Sequence, residues 1–255
     1  MREAINIIGL GVTDPHIHVF ADRAYLYASH DYAATNTRFD MRDWQVWSSD
    51  DLLNWRLEST LKPEDIYIGG AIDGCWATDA VEKDGTYYWA FSDMNRSGAG
   101  PQIGMVVSDS PGGPWTDALG GPLLPHDCAS TPAYDPCFFK EDDGCVYILF
   151  GVWEYCIAKM SDYAMSESLY GPYAYRGCVV DPDKMEKRFR ENTWPHGPTQ
   201  GRHGNYFEWK GQWYFTYCEM AFSGNRFFRD FWISRVEYAD DGRILPIGVD
   251  SKCIR

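Results

Sequence analysis

The sequence predicts an all-β fold of the propeller type, in a single domain over residues 1–255. Three observations carry this. Aromatic residues make up 16% of the 255 residues, alongside 24 Gly and 14 Pro, a composition suited to short strands and tight turns rather than long helices. A hairpin-like segment recurs four times along the chain. A second kind of segment, a strand running into a Ser-rich turn, closes most of these units. Strand-built repeats of about 40–50 residues or more imply blades set around an axis, each of about four strands.

The first unit opens with DPHIHVFADRAYLYASHD (14–31) and closes with VWSSDDLLNW (46–55). The second opens with TDAVEKDGTYYWAFSD (78–93) and closes with MVVSDSPGGPW (105–115). In each opening, two runs of β-branched and aromatic residues flank a short turn such as Lys83-Asp84-Gly85, the mark of a β-hairpin. Pro in a Gly-Pro closing turn fixes φ and ends strand pairing. The third unit, YDPCFFKEDDGCVYILFG (134–151), is followed by a strand, YCIAKMSD (155–162), and at once by another closing segment, YAMSESLYGPY (163–173). The fourth opens with HGNYFEWKGQWYFTYC (203–218) and ends in FWISRVEYADDGRILPI (231–247), read as two strands around an Asp-Gly turn. Four openings thus serve five closings. Either an inner hairpin is missing between Asp162 and Tyr163, or one closing segment is a loop. The polar stretch 180–202 is loop-like and long enough to carry function.

The net charge of −14 argues against nucleic acid and against an anionic membrane as partners, since both need a basic surface. No run approaches the ~20 apolar residues of a membrane span. The N-terminal residues lack a signal-peptide pattern, so the chain reads as cytoplasmic, or as secreted had a leader been removed. The eight cysteines form no C-x-x-C pair and show no zinc-ligand spacing, which leaves buried thiols in a reducing compartment.

Taken in order, DPHIHVF, VWSSDDLLNW, CWATDAVEKDGTYYWAF, IGMVVSDSPGGPW, YDPCFFKEDDGCVYILFG, AMSESLYGPY and RHGNYFEWKGQWYF…FRDFWISRVEY resemble glycoside hydrolase family 43 from Asp14 to about Ile247. The resemblance implies a five-bladed β-propeller with one blade incomplete or missing. It implies a carbohydrate substrate, with release of arabinofuranosyl or xylosyl units from plant-type polysaccharides by inversion. The family's fourth blade opens with an acidic motif and a hairpin, and neither is found here. The gap at 162/163 is where that hairpin belongs. An unpaired edge there would favour association, so the chain is expected to be a monomer or a homodimer.

Inverting hydrolysis needs one ionised carboxylate to activate water and one protonated carboxyl to assist the leaving oxygen. By themselves Asp14-Pro15 and Asp135-Pro136 are turn openings. By resemblance Asp14 is the general base, and Asp135 is the third acidic residue, which tunes the acid's pKa. The acid has no family match. Glu154, just past the third unit's second strand, is the first substitute and Glu191 the second, while Glu208 and Glu219 read as surface carboxylates. Without an acid the chain would be a catalytically impaired carbohydrate-binding relative, and a propeller interaction scaffold is a third class. His203 reads either as a polar residue at a strand start or, by resemblance, as a channel ligand for a water or a structural calcium. No cofactor is required. His16 and His18 share one face of the first strand, which lines the channel or lies at its rim. Arg229 matches a family arginine that reaches substrate. Trp76 is a candidate sugar-stacking wall, with Trp153 and Trp194 as weaker ones.

Overall fold

The computed structural model describes residues 4–95, 100–141, 144–151, 156–160, 185–191, 203–240, 242 and 244–249. These form four antiparallel sheets, each built from one continuous part of the chain. The first contains β1 (Val12–Phe20), β2 (Arg23–Asp31), β3 (Met41–Ser49) and β4 (Arg56–Leu61). The second contains β5 (Cys75–Lys83), β6 (Thr86–Asn95) and β7 (Gly100–Ser108). The third contains β8 (Cys137–Lys140), β9 (Val146–Phe150) and β10 (Cys156–Met160), and the fourth β11 (Tyr206–Trp209), β12 (Gln212–Glu219) and β13 (Asp230–Arg235). Strands within a sheet follow chain order, as in a propeller blade. Among the described residues helix is limited to a 3₁₀ turn at Pro63–Asp65 and one turn, α1, at Lys187–Arg190. Among the described residues no helix is long and apolar enough to cross a membrane.

All four expected hairpins form. β1 and β2 close through Ala21 and Asp22, β5 and β6 through Asp84 and Gly85, and β11 and β12 through Lys210 and Gly211, every one of these residues with φ between 48° and 81°. Two positive φ values in a two-residue loop match the right-handed twist of the flanking strands. In the first closing segment, Asp51 accepts the backbone N–H groups of Leu53 and Asn54 and sets the turn after β3. The last unit departs from expectation. Among the described residues a single bridge, Tyr238 to Ile244, spans the segment around Gly242, and 244–249 form no second strand. Pro246 has no N–H to extend a ladder there. The strand at 155–162 forms as β10, while the closing segment at 163–173 and the suspected gap at 162/163 lie outside the described residues.

Sheet-to-sheet packing supplies the core. Ile17, Leu26, Phe207 and Phe231 join the first sheet to the fourth, and Tyr27, Trp44, Trp89 and Val106 join it to the second. Ala90 and Ile103 meet Ile148 and Phe150 between the second and third. The other face of the fourth sheet is covered by Met185 and Phe189, from α1 and its approach, and by Ile247 and Val249. β1 lies against both β5 and β11, and β5 against β8, which places the first strands of the four sheets around a shared centre.

Candidate active site

The openings of these inner strands build the site. Pairing of β1 with β2 slips between Thr13 and His16, and pairing of β5 with β6 slips between Cys75 and Thr78. Asp14 and Trp76 occupy the two bulges, which re-aim a side chain out of regular alternation. Asp135 and His203 stand just ahead of β8 and β11. Asp14 has φ 47° and Asp135 φ 50°, a left-handed conformation that costs a non-glycine residue energy and that concentrates at functional sites. Asp14, Trp76, Asp135, His203 and Arg229, the last at the entry to β13, line one pocket of about 270 Å3, with Phe39 and Met41 beside them. That is near the lower end of small-ligand pockets, roughly 300–1,000 Å3.

Asp14 is held by Arg229. Nη1 donates to Asp14 Oδ1 at 2.8 Å and Nη2 to Oδ2 at 3.2 Å. The same guanidinium donates from Nε to Asp31 Oδ2 at 3.0 Å and from Nη2 to Asp31 Oδ1 at 3.1 Å. A buried guanidinium needs neutralising partners, and two carboxylates supply them. Arg229 thus lines the pocket while its fork is engaged by protein carboxylates, a positioning role that the sequence reading did not give it. Burial opposes ionisation of Asp14, but Arg229 and His203 outweigh it and hold the carboxyl below its ordinary value. Asp135 moves the other way. Burial raises it and the Asp14 charge adds to the rise, while His203 and His16 hold it back. Its backbone N–H donates to Ser92 Oγ at 2.8 Å, which pins the strand opening.

Behind the pocket runs a polar relay. His203 Nε2 lies 3.3 Å from His16 Nε2, and His16 Nδ1 lies 2.9 Å from Asp79 Oδ1. Burial lowers His203 against the pull of Asp14 and Asp135, whereas the Asp79 charge overcomes burial and raises His16. Those opposite directions fit a His16 that donates through Nε2 to a neutral His203. Asp79 also accepts from His18 Nε2 at 2.6 Å, so His18 serves Asp79 and is not part of the pocket lining. Burial opposes the ionised form of Asp79, yet His16 and His18 bring it far below the usual carboxylate range.

Trp76 presents a flat wall, stacked on Tyr134 with ring centroids 5.0 Å apart and planes at 16°. Among the described pocket-lining residues, the groups that could hold an ion are His203, Asp135 and the lone pairs that Asp14 keeps beside Arg229. Calcium takes six to eight oxygens, so these residues suit a largely hydrated ion and not a protein cage.

Trp153, Glu154 and Trp194 lie outside the described residues. Glu191 is exposed at the end of α1, 3.6 Å from Lys187, and does not line the pocket. Glu208 is exposed as expected, but Glu219 is buried, contrary to its reading as a surface carboxylate. Its position at the end of β12, opposite Asp230, turns it into the core. Asp31 and Asp79 were missed by sequence reasoning. The available signal was a charge set in an apolar strand, in YLYASHD and in WATDAV.

The model of "Glycosyl hydrolases family 43" matches residues 11–170. "Xylosidase/arabinosidase 43A" of Humicola insolens is 35% identical over 157 residues, 57% of this chain and 45% of its own, so this chain spans less than half of that relative. "Xylosidase/arabinosidase" of Bacteroides ovatus is 26% identical, with 92% of this chain and 94% of its own covered. That alignment runs over 318 positions against a chain of 255, so the relative carries residues without a counterpart here. Among solved structures, the RS223 β-xylosidase superposes with a TM-score of 0.70 at 20% identity over 97% of this chain and 98% of its own. CoXyl43, a β-xylosidase/α-arabinofuranosidase from a compost metagenome described in a calcium-free form with xylotriose, gives 0.66 at 25% identity over 94% and 95%. The fold is thus the five-bladed propeller type of these neighbours, four of whose sheets the described residues form. With the family model covering more than half of the chain, this protein belongs to family 43 of the glycosyl hydrolases.

Proposed function

We propose that the protein hydrolyses arabinofuranosyl or xylosyl glycosides with inversion, using Asp14 as the base that activates water and Asp135 as the residue that tunes the acid. One observation carries this reading. Two aspartates more than a hundred residues apart line one pocket, in surroundings that drive their protonation in opposite directions. Arg229 keeps Asp14 ionised, and each Asp14 oxygen has a second lone pair for a water. Trp76 offers its free face to the C–H side of a sugar ring. The xylosidase and arabinosidase names of the relatives support the pentose assignment. The reaction needs a proton donor to the leaving oxygen, and Glu154 is proposed for it. The N–H of Gly151 donates to the carbonyl of Tyr134 at 2.8 Å, so the chain leaves β9 beside Asp135, three residues before Glu154.

A second reading is a carbohydrate-binding relative that turns substrate over poorly. It rests on the two carboxylates that line the pocket among the described residues, where a complete site needs an acid as well. Proton NMR of a pentosyl oligosaccharide during hydrolysis separates the two. Inverted anomer as the first product supports the proposal. Retained anomer overturns the mechanism, and sugar binding by calorimetry without turnover favours the second reading.

A further inference from the structure

We propose that His16, Asp79 and Cys137 form a binding site for zinc or a metal ion of similar softness. This goes beyond the glycosidase reading and does not depend on it. The three residues come from β1, β5 and β8, the inner strands of three consecutive sheets. One ligand atom from each lies within 4.8 Å of the other two. His16 is 2% exposed, and its Nδ1 has no aligned hydrogen-bond partner although Asp79 Oδ1 is only 2.9 Å away. An ion there would take the place of the proton on this nitrogen and keep the carboxylate beside it.

The surroundings fix the ligands in the way metal sites require. His16 Nε2 is turned to His203, which leaves Nδ1 as the ligating nitrogen. Asp79 is held by the Ala80 N–H on Oδ1 and the Phe138 N–H on Oδ2. His18 Nε2, at 2.6 Å from Asp79 Oδ1, supplies either a fourth ligand or an outer hydrogen bond. Cys137 is partly exposed, which gives an ion a way in. A set of imidazole nitrogen, carboxylate oxygen and sulfur suits tetrahedral zinc, and disfavours calcium and magnesium, which take oxygen. Sequence spacing could not show this set, because its members are 63 and 58 residues apart in turn.

The probe is Co2+, followed by Zn2+ competition, on chelator-treated full chain. The expected result is one equivalent of Co2+ bound with a thiolate-to-cobalt charge-transfer band, displaced by Zn2+. Cys137→Ser should lose the band and bind Zn2+ at least about tenfold more weakly, whereas Cys145→Ser, which alters a cysteine outside the cluster, should keep both. Zinc-edge X-ray absorption on the unaltered chain should show one sulfur at about 2.3 Å with nitrogen or oxygen at about 2.0 Å. A band that persists in Cys137→Ser, or an absorption spectrum without sulfur, would overturn the proposal.

Discussion

Asp14 is 5% exposed, in a pocket where an unaided carboxylate would take up a proton. Its ionised state depends on the guanidinium that spans it and Asp31. Arg229→Lys keeps a positive charge but loses the planar fork, so Asp14 should become easier to protonate. The acidic limb of kcat/KM should then shift to higher pH by about one unit, with activity at low pH lost and largely recovered as the pH rises. A pH profile of the variant checks this, and an unmoved limb would mean that Arg229 does not set the state of Asp14, the proposed base. Asp14, Asp135, Trp76, His203 and Arg229 could all be picked out in the sequence, because each sits in a motif with a family counterpart. Asp31 and Asp79 could not. Their partners are distant in the chain, 198 residues from Asp31 to Arg229 and 61 from His18 to Asp79.

Gly204 links His203 to β11 and shows how closely the entry to that strand approaches β12. A Cβ there would stand 1.8 Å from the carbonyl oxygen of Thr216, a backbone atom that cannot swing aside. Gly204→Ala should therefore destabilise the protein by about 2–4 kcal/mol, read by urea unfolding, through displacement of β11 from β12. Gly85 faces open space and has φ +81°, so Gly85→Ala should cost only about 1 kcal/mol. Equal losses would show that backbone conformation, and not contact, governs both sites. The hairpins were legible because a turn with two positive φ values favours Gly and Asp, present here as Asp22, Asp84-Gly85 and Gly211, next to alternating apolar residues. The bulges at Asp14 and Trp76 were not, since nothing in local composition marks where a ladder slips by one residue.

The N-terminal segment ties the first sheet to the fourth, which also meet directly through β1 and β12. Ile5 pairs with Trp55 at the outer edge of the first sheet, and the N–H groups of Gly9 and Gly11 reach across to Asp230 Oδ1 in the fourth. Asp230 is fully buried, and burial pushes its carboxyl from 3.8 up to about 6. A raised acid favours the folded state most when protonated. Its contribution is full below pH 3.8 and is lost as the pH rises through 6. Asp230→Asn keeps the acceptor and removes the charge. It should match the parent at pH 4 and exceed it at pH 7 by up to roughly 3 kcal/mol, at about 1.4 kcal/mol per pH unit. Thermal melts of both proteins across that range check the difference, and a variant less stable at pH 7 would contradict it. The repeat pattern made the propeller readable because every blade is the same solution to burying two sheet faces. The number of complete blades was harder to read, since the sequence sets two closing segments back to back at 155–173, where only Cys156–Met160 are among the described residues.

The proposed hydrolysis requires Asp14 to act on water in the pocket it shares with Asp135. The most direct test compares the parent protein with Asp14→Asn on dinitrophenyl xylosides and arabinofuranosides, whose leaving groups depart without help from an acid. Loss of the base should slow release by about 10²–10⁴-fold with the fold intact by circular dichroism. Release by Asp14→Asn at the parent's rate would show that Asp14 does not activate the water.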